Sequence, residues 1–141
     1  MKLQFQSAQN QHVPLIFAQA KNLIDTYEDV SAIEYDKVLN WVEKKITTHI
    51  SEYVCVLLNG QTCGFYRLCE DGELDDLYVL PAFQNRGIGA AIMRKCIDET
   101  ENNIYLYVFS RNSRAISFYE RFDFTVRQPV GQTRMILERK A

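Results

Sequence analysis

The sequence is short of the side chains that build metal centres and covalent staples. It holds two histidines and four cysteines in 141 residues. No two of Cys55, Cys63, Cys69 and Cys96 stand in C-x-x-C spacing, and His12 and His49 stand apart from one another. The familiar zinc patterns are thereby excluded, no metal is expected, and the cysteines read as small, reduced core residues. No apolar run approaches the roughly 20 residues of a membrane-spanning helix, so no membrane partner is expected. The opening Met1-Lys2-Leu3-Gln4-Phe5-Gln6 is too polar for a secretory signal, which makes a cytoplasmic location the expectation. There is also no large excess of one charge. The formal net charge is −2, which speaks against nucleic acid as a partner. Internal repeats, linkers and low-complexity tracts are absent.

What is present fits one globular unit. Hydrophobic residues make up 47% and charged residues 24% of the chain, the balance of a folded soluble domain rather than a disordered or fibrous one. A single domain over residues 1–141 is expected, as monomer or homodimer. A chain of this length buries roughly two thirds of its unfolded surface, so it has no need of disulfides. The N-terminal two thirds is acidic and the last third basic. The acids peak at Glu70, Asp71, Glu73, Asp75 and Asp76. Such a cluster is either a solvated strand edge or the wall that receives a cationic substrate.

Periodicity supplies the elements. Leu3 and Phe5 alternate in a short strand over residues 2–6. Ile16, Ala20, Leu23, Ile24 and Tyr27 give helical spacing over residues 13–27, with Pro14 where a first-turn proline is tolerated. Tyr35, Val38, Leu39, Val42, Ile46 and Ile50 predict a second amphipathic helix over residues 34–50. Strands over residues 53–58, 61–69 and 73–80, joined by Asn59-Gly60 and Asp71-Gly72, predict an antiparallel meander. A helix over residues 87–100, a buried strand over 104–109 and a helix over 113–121 capped by Asn112 follow. Strands over residues 125–128 and 133–138 close the chain. The fold class is α+β, a central mixed but mostly antiparallel sheet of about seven strands flanked by about four helices.

The chemistry-bearing feature is Gln84-Asn85-Arg86-Gly87-Ile88-Gly89-Ala90, where a strand hands over to a helix. Glycine lets backbone approach a ligand and take positive φ. A helix start leaves N–H groups unpaired with partial positive charge behind them, and Arg86 adds a charged donor. The combination suits a phosphate or pyrophosphate. A P-loop fails because Gly89 is followed by Ala90-Ala91 rather than Lys-Ser or Lys-Thr. A dinucleotide fingerprint fails because Ile92 stands where a third small residue is needed, and because the turn follows an antiparallel meander. A plain glycine-bearing loop is the remaining alternative.

Leu77-Tyr78-Val79-Leu80-Pro81-Ala82-Phe83 followed by that turn resembles the acetyl-CoA motif of the GCN5-related N-acetyltransferase (GNAT) superfamily, Q/R-x-x-G-x-G/A. Asn112 through Phe124, with Phe118-Tyr119-Glu120-Arg121, resembles the superfamily's next motif, a helix with an asparagine and a tyrosine seven residues on. The resemblance is specific over residues 73–124 and architectural elsewhere. It implies a GNAT-like acyl-CoA N-acyltransferase fold. It also implies an acetyl-CoA-dependent N-acetyltransferase, with acetyl-CoA as co-substrate. The backbone of Asn85, Arg86, Gly87, Ile88, Gly89 and Ala90 would bind the CoA pyrophosphate. Leu77, Tyr78 and Val79 would pair with pantetheine in a gap between splayed strands, and a backbone N–H near Leu77 would hold the developing oxyanion. Asn112 would contact pantetheine besides capping its helix. Tyr119 would act as general acid towards the CoA thiolate, although packing with Phe118 and Phe122 is its plain structural role.

Glu73 is the expected general base, with Asp76 or a water as alternatives. By alternation Glu73 shares a face with Asp75, Leu77 and Val79 unless a bulge intervenes. Arg111 or Arg114 is a further candidate for CoA phosphates. Two positions depart from the family pattern. Tyr107 stands where a branch acetylating protein N-termini has glutamate, which weakens that reading. Asp123 replaces the glycine that commonly precedes Phe124, and aspartate tolerates the left-handed conformation better than most residues. The helices over residues 13–50, where the superfamily builds acceptor specificity, offer Tyr27, Tyr35 and Trp41. With the acid cluster they point to a small cationic amine or a lysine-bearing acceptor. A non-catalytic acyl-CoA-binding or regulatory module on the same fold is the alternative.

Overall fold

In the structure, a computed structural model that describes residues 1–141, the predicted periodicities become four α-helices and seven strands. The first strand, β1, is Leu3–Ser7. α1 runs Val13–Tyr27 with Pro14 in its first turn and buries Ile16, Ala20 and Ile24. α2 runs Tyr35–Thr48 and buries Val42 and Ile46. It ends before Ile50 because Ile50–Glu52 tighten into a 3-10 turn. The meander is β2 (Val54–Leu58), β3 (Gln61–Leu68) and β4 (Leu74–Val79). Asn59 and Gly60 both take positive φ in its first turn, 52° and 79°, as an Asn-Gly hairpin requires. Then come α3 (Ile88–Glu99), β5 (Ile104–Phe109), α4 (Ser113–Glu120), β6 (Thr125–Val130) and β7 (Arg134–Arg139). β6 continues past the predicted Gln128 through Pro129. It is an edge strand, where a missing N–H costs no ladder bond.

The seven strands divide into two antiparallel sheets, ordered β1-β2-β3-β4 and β5-β7-β6. The mixed character expected of the sheet is thus reduced to one parallel bridge, between Glu73 and Tyr105. Beyond that bridge β4 and β5 part, and their facing backbones form no ladder. Two apolar cores cover the two sides. Val56, Ile92, Met93, Cys96, Leu106 and Leu137 pack beneath α3. Ile16, Ile24, Val42, Ile46, Cys55 and Phe65 pack beneath α1 and α2. All four cysteines are free, and Cys55, Cys63 and Cys96 are buried. No helix is long and apolar enough to cross a membrane.

What pins the two sheets at one end is Gly72. It has φ +96°, and a Cβ there would lie 2.2 Å from the Asn103 carbonyl oxygen. Its own carbonyl accepts the Tyr105 N–H at 3.1 Å. Gly72→Ala therefore combines a strained backbone with a clash against rigid main chain, and a loss of about 3 kcal/mol is expected. Urea unfolding measures it through the midpoint at constant slope. A midpoint equal to that of the parent would refute the close approach.

Candidate active site

The turn between β4 and α3 is held open by several local devices. Gly87 occupies the N-cap of α3 with φ 81°. Asn85 also takes positive φ, 64°, and its side-chain oxygen accepts from Arg114 Nη2 of α4 at 2.7 Å. Gln84 Nε2 donates to the Val79 carbonyl at 3.1 Å, which ties the turn to the end of β4. The first intrahelical bond of α3 runs from the Ala91 N–H to the Gly87 carbonyl at 3.1 Å. The N–H groups of Ile88, Gly89 and Ala90 have no partner within the chain, as the start of a helix dictates. A side chain at Gly89 would meet the Phe118 ring at 3.4 Å and Val79 at 3.7 Å, while Gly87 faces open space. Three consecutive donors at a positive helix end, beside open space, fit an anionic phosphate group. Arg86 stands at the rim, its guanidinium 5.4 Å from the Phe83 ring centroid.

Leu77 and Val79 lie on the α3 side of β4 and pack against that core. Tyr78 points to the other side, with the core of α1 and α2. Gly64 of β3 lets β4 come close, because a Cβ there would lie 2.5 Å from the Tyr78 carbonyl oxygen.

α4 carries two further residues that the sequence pointed to. Asn112 is almost fully buried and its Oδ1 accepts the Ala115 N–H at 3.1 Å. The capping role is therefore real, and the carboxamide nitrogen has no partner within the chain. Tyr119 packs edge-on to Phe118 at 5.2 Å and tilted against Phe124 at 5.5 Å. Its hydroxyl makes no hydrogen bond within the chain. Burial raises its pKa far above that of a free phenol, and the charge of Asp76 adds to the shift. Asp123 takes φ 69° after the helix, the left-handed conformation its position calls for.

The acids around β4 are not all available. A bulge in β4 breaks the alternation between Leu74, opposite Leu68, and Asp76, opposite Arg67. Glu73 therefore does not share a face with Leu77 and Val79, as an unbroken strand would require. The bulge lets consecutive Asp75 and Asp76 both reach Lys45 of α2, at 3.1 and 3.4 Å. Asp75 also accepts from Arg67 Nη1 at 2.8 Å, and Asp76 accepts from the hydroxyls of Tyr53 and Tyr78. Asp71 accepts from the Tyr105 hydroxyl at 2.7 Å and from the Glu73 N–H at 3.0 Å. Glu73 is left without a side-chain partner. Burial pushes its carboxyl above the usual range, and Asp75 and Asp71 push it further. A half-buried, unpaired carboxyl with a raised pKa is suited to accepting a proton near neutral pH.

Of the aromatics in the N-terminal helices, Tyr27 stacks on Phe109 at 6.4 Å and Tyr35 donates to Asp25 at 2.6 Å. Trp41 is exposed, at 65%. Lys45 is the residue sequence reasoning passed over. It falls seven residues after Val38 on the apolar stripe of α2, and a lysine on such a stripe is a signal for a buried partner.

Comparison with known proteins bears on this arrangement. The model of a family described as "Acetyltransferase (GNAT) family" matches residues 18–124. A protein described as an uncharacterized N-acetyltransferase of Methanocaldococcus jannaschii is 35% identical over 99 residues, covering 60% of this chain and 43% of that protein. The chain thus spans less than half the length of that relative. The PaiA N-acetyltransferase of Thermoplasma acidophilum, solved in complex with coenzyme A, superposes with a TM-score of 0.71 at 17% identity, covering 100% of both chains. An acetyltransferase of Thermus thermophilus superposes with a TM-score of 0.73 at 19% identity, covering 100% of this chain and 98% of that one. At such identities the two structures speak for the fold.

Proposed function

The chain belongs to the GNAT acetyltransferase family, and from that premise we propose that it moves an acetyl group from acetyl-CoA to the primary amine of a small cationic acceptor. The observation that carries this reading is the run of unpaired N–H groups at Ile88, Gly89 and Ala90, opening beside the place where β4 and β5 part. When bound, acetyl-CoA supplies an activated thioester carbonyl. The turn residues Asn85 to Ala90 hold its pyrophosphate by backbone donors and helix charge. Leu77, Tyr78 and Val79 offer β4 backbone to the pantetheine amides, and the free carboxamide nitrogen of Asn112 donates to the same arm.

The chemistry then asks three things of this chain. Glu73 takes a proton from the acceptor ammonium, directly or through one water, so that a neutral amine attacks. A β4 backbone N–H near Leu77 stabilises negative charge on the carbonyl oxygen. Tyr119 gives a proton to the departing thiolate as the carbon–sulfur bond breaks and the carbon–nitrogen bond completes, and the second proton of the attacking nitrogen, lost as the amide forms, returns through water to restore the phenol. Burial raises its pKa, which favours the protonated phenol that a general acid needs.

Glu73→Gln tests the base. The wild-type kcat/KM for the acceptor should fall as pH drops through the raised carboxyl pKa of Glu73, because only the carboxylate accepts a proton. In the variant that limb should vanish and the plateau should drop by about tenfold to a hundredfold. The acceptor's own ionisation is common to both proteins and cancels in the ratio. A ratio that stays constant across pH would remove Glu73 from the mechanism and leave water or Asp76.

A further inference from the structure

The far end of α3 borders a second feature that the acetyl transfer does not use. It is an open groove of about 480 Å³ whose lining includes Glu52, Glu70, Glu99 and Glu101 and no basic residue. α3 is 12 residues long, which sets the groove roughly 18 Å from the pyrophosphate turn. The C-terminal carbonyls of the helix add negative potential there. Glu52 is already paired with Arg67 at 3.1 Å and Glu99 with Lys95 at 2.7 Å. Glu70 and Glu101 have no ion-pair partner.

An acidic rim alone is ordinary surface. What distinguishes this one is Tyr66. It is 2% exposed, yet it lines the groove, and its hydroxyl makes no hydrogen bond within the chain. The one fully enclosed side-chain polar atom without a partner in this protein is Arg67 Nε, so the Tyr66 hydroxyl keeps a sliver of surface, and the groove is the surface that it lines. A buried phenol with an unmet hydroxyl is a group waiting for a polar partner. Burial and the nearby Glu99 charge both raise its pKa, so it remains a phenol.

We propose that this groove binds a linear aliphatic polyamine, with ammonium groups on the glutamates and on the Tyr66 oxygen, and with methylenes along Leu68 and the Tyr66 ring. The spacing of the acids favours an elongated cation over a metal ion. The convergent group of potential ligands is Cys69, Asp71 and Glu73, whose ligand atoms lie within 4.8 Å of one another, and none of the four groove glutamates belongs to it. A ligand with separated charges and an apolar middle matches acids spread around an apolar floor.

Calorimetric titration with spermidine at low salt tests the proposal on the whole chain. Four proteins are compared: wild type, the Glu70→Gln/Glu101→Gln double variant, Tyr66→Phe and Glu73→Gln. Glu70 and Glu101 are exposed, and Tyr66→Phe keeps the ring, so each variant should fold. Spermidine affinity should fall about tenfold in the double variant and several-fold in Tyr66→Phe, and should be unchanged in Glu73→Gln. Thiol release with a monoamine acceptor should be unaffected in the double variant, which separates this site from the proposed reaction site. Absence of spermidine binding would overturn the proposal. So would binding lost in Glu73→Gln but kept in the double variant, because the amine would then occupy the reaction site.

Discussion

Tyr119→Phe is expected to lower kcat about a hundredfold while leaving the affinity for CoA within a factor of two or so. The change removes one oxygen and keeps the ring against Phe118 and Phe124, so packing of α4 should be preserved. The hydroxyl has no hydrogen-bond partner within the chain, so its removal leaves no protein donor or acceptor stranded. Any large effect must therefore arise in the reaction. Because the phenol pKa is raised by burial, the wild-type rate should show no descending limb from this group in the alkaline range. Single-turnover thiol release, paired with CoA titration, distinguishes the two parts. Equal turnover in the variant would reduce Tyr119 to an aromatic wedge.

Lys45→Met is expected to destabilise the fold by about 3 kcal/mol near neutral pH. The methionine keeps the apolar stem on α2 but removes the cation that Asp75 and Asp76 share at 3.1 and 3.4 Å. Both carboxylates are largely buried, with 14% and 9% of their side-chain surface exposed. Arg67 and the two tyrosine hydroxyls remain, which keeps the loss at the lower end for a broken buried pair. The pH dependence carries a sign. Burial already raises the pKa of Asp76 and the charge of Lys45 opposes that rise. Without Lys45 the folded-state pKa climbs further above the unfolded value, so the penalty is full at higher pH and shrinks as falling pH protonates the carboxyl. Urea midpoints at two pH values measure this. A deficit that does not change with pH would mean that lost packing, not lost charge, is responsible.

The elements were legible in the sequence because they are local. Pro14 with Ile16, Ala20 and Ile24 defines α1 at both ends, and Asn59-Gly60 specifies its turn. The glycine turn before α3 was legible for the same reason, since Gly87 and Gly89 must stand next to a helix start. The arrangement of the acids was not. Lys45 meets Asp75 across 30 positions of sequence, and no periodicity encodes that pairing. The bulge that directs Asp75 and Asp76 to the same side depends on how β4 registers against β3. The cluster from Glu70 to Asp76 thus read as one acidic wall. In the fold, Asp75 and Asp76 are paired internally, Asp71 holds Tyr105, Glu73 keeps an unpaired, half-buried carboxyl, and Glu70 lines a different groove.

That redistribution bears on the proposed acceptor. With Asp75 and Asp76 paired to Lys45 and Arg67, Glu73 is the half-buried carboxyl of this stretch left unpaired. On the proposed function, such a site would take one ammonium at the point of attack and offer few further contacts to a polycation.

The most direct measurement is turnover itself: acetyl-CoA with a panel of primary amines, thiol release followed continuously and the acceptor identified by mass spectrometry. The account predicts equal amounts of CoA thiol and of an N-acetylated amine, faster with rising pH and dependent on Glu73 and Tyr119. Tight CoA binding with no amine acetylated at any pH would contradict it.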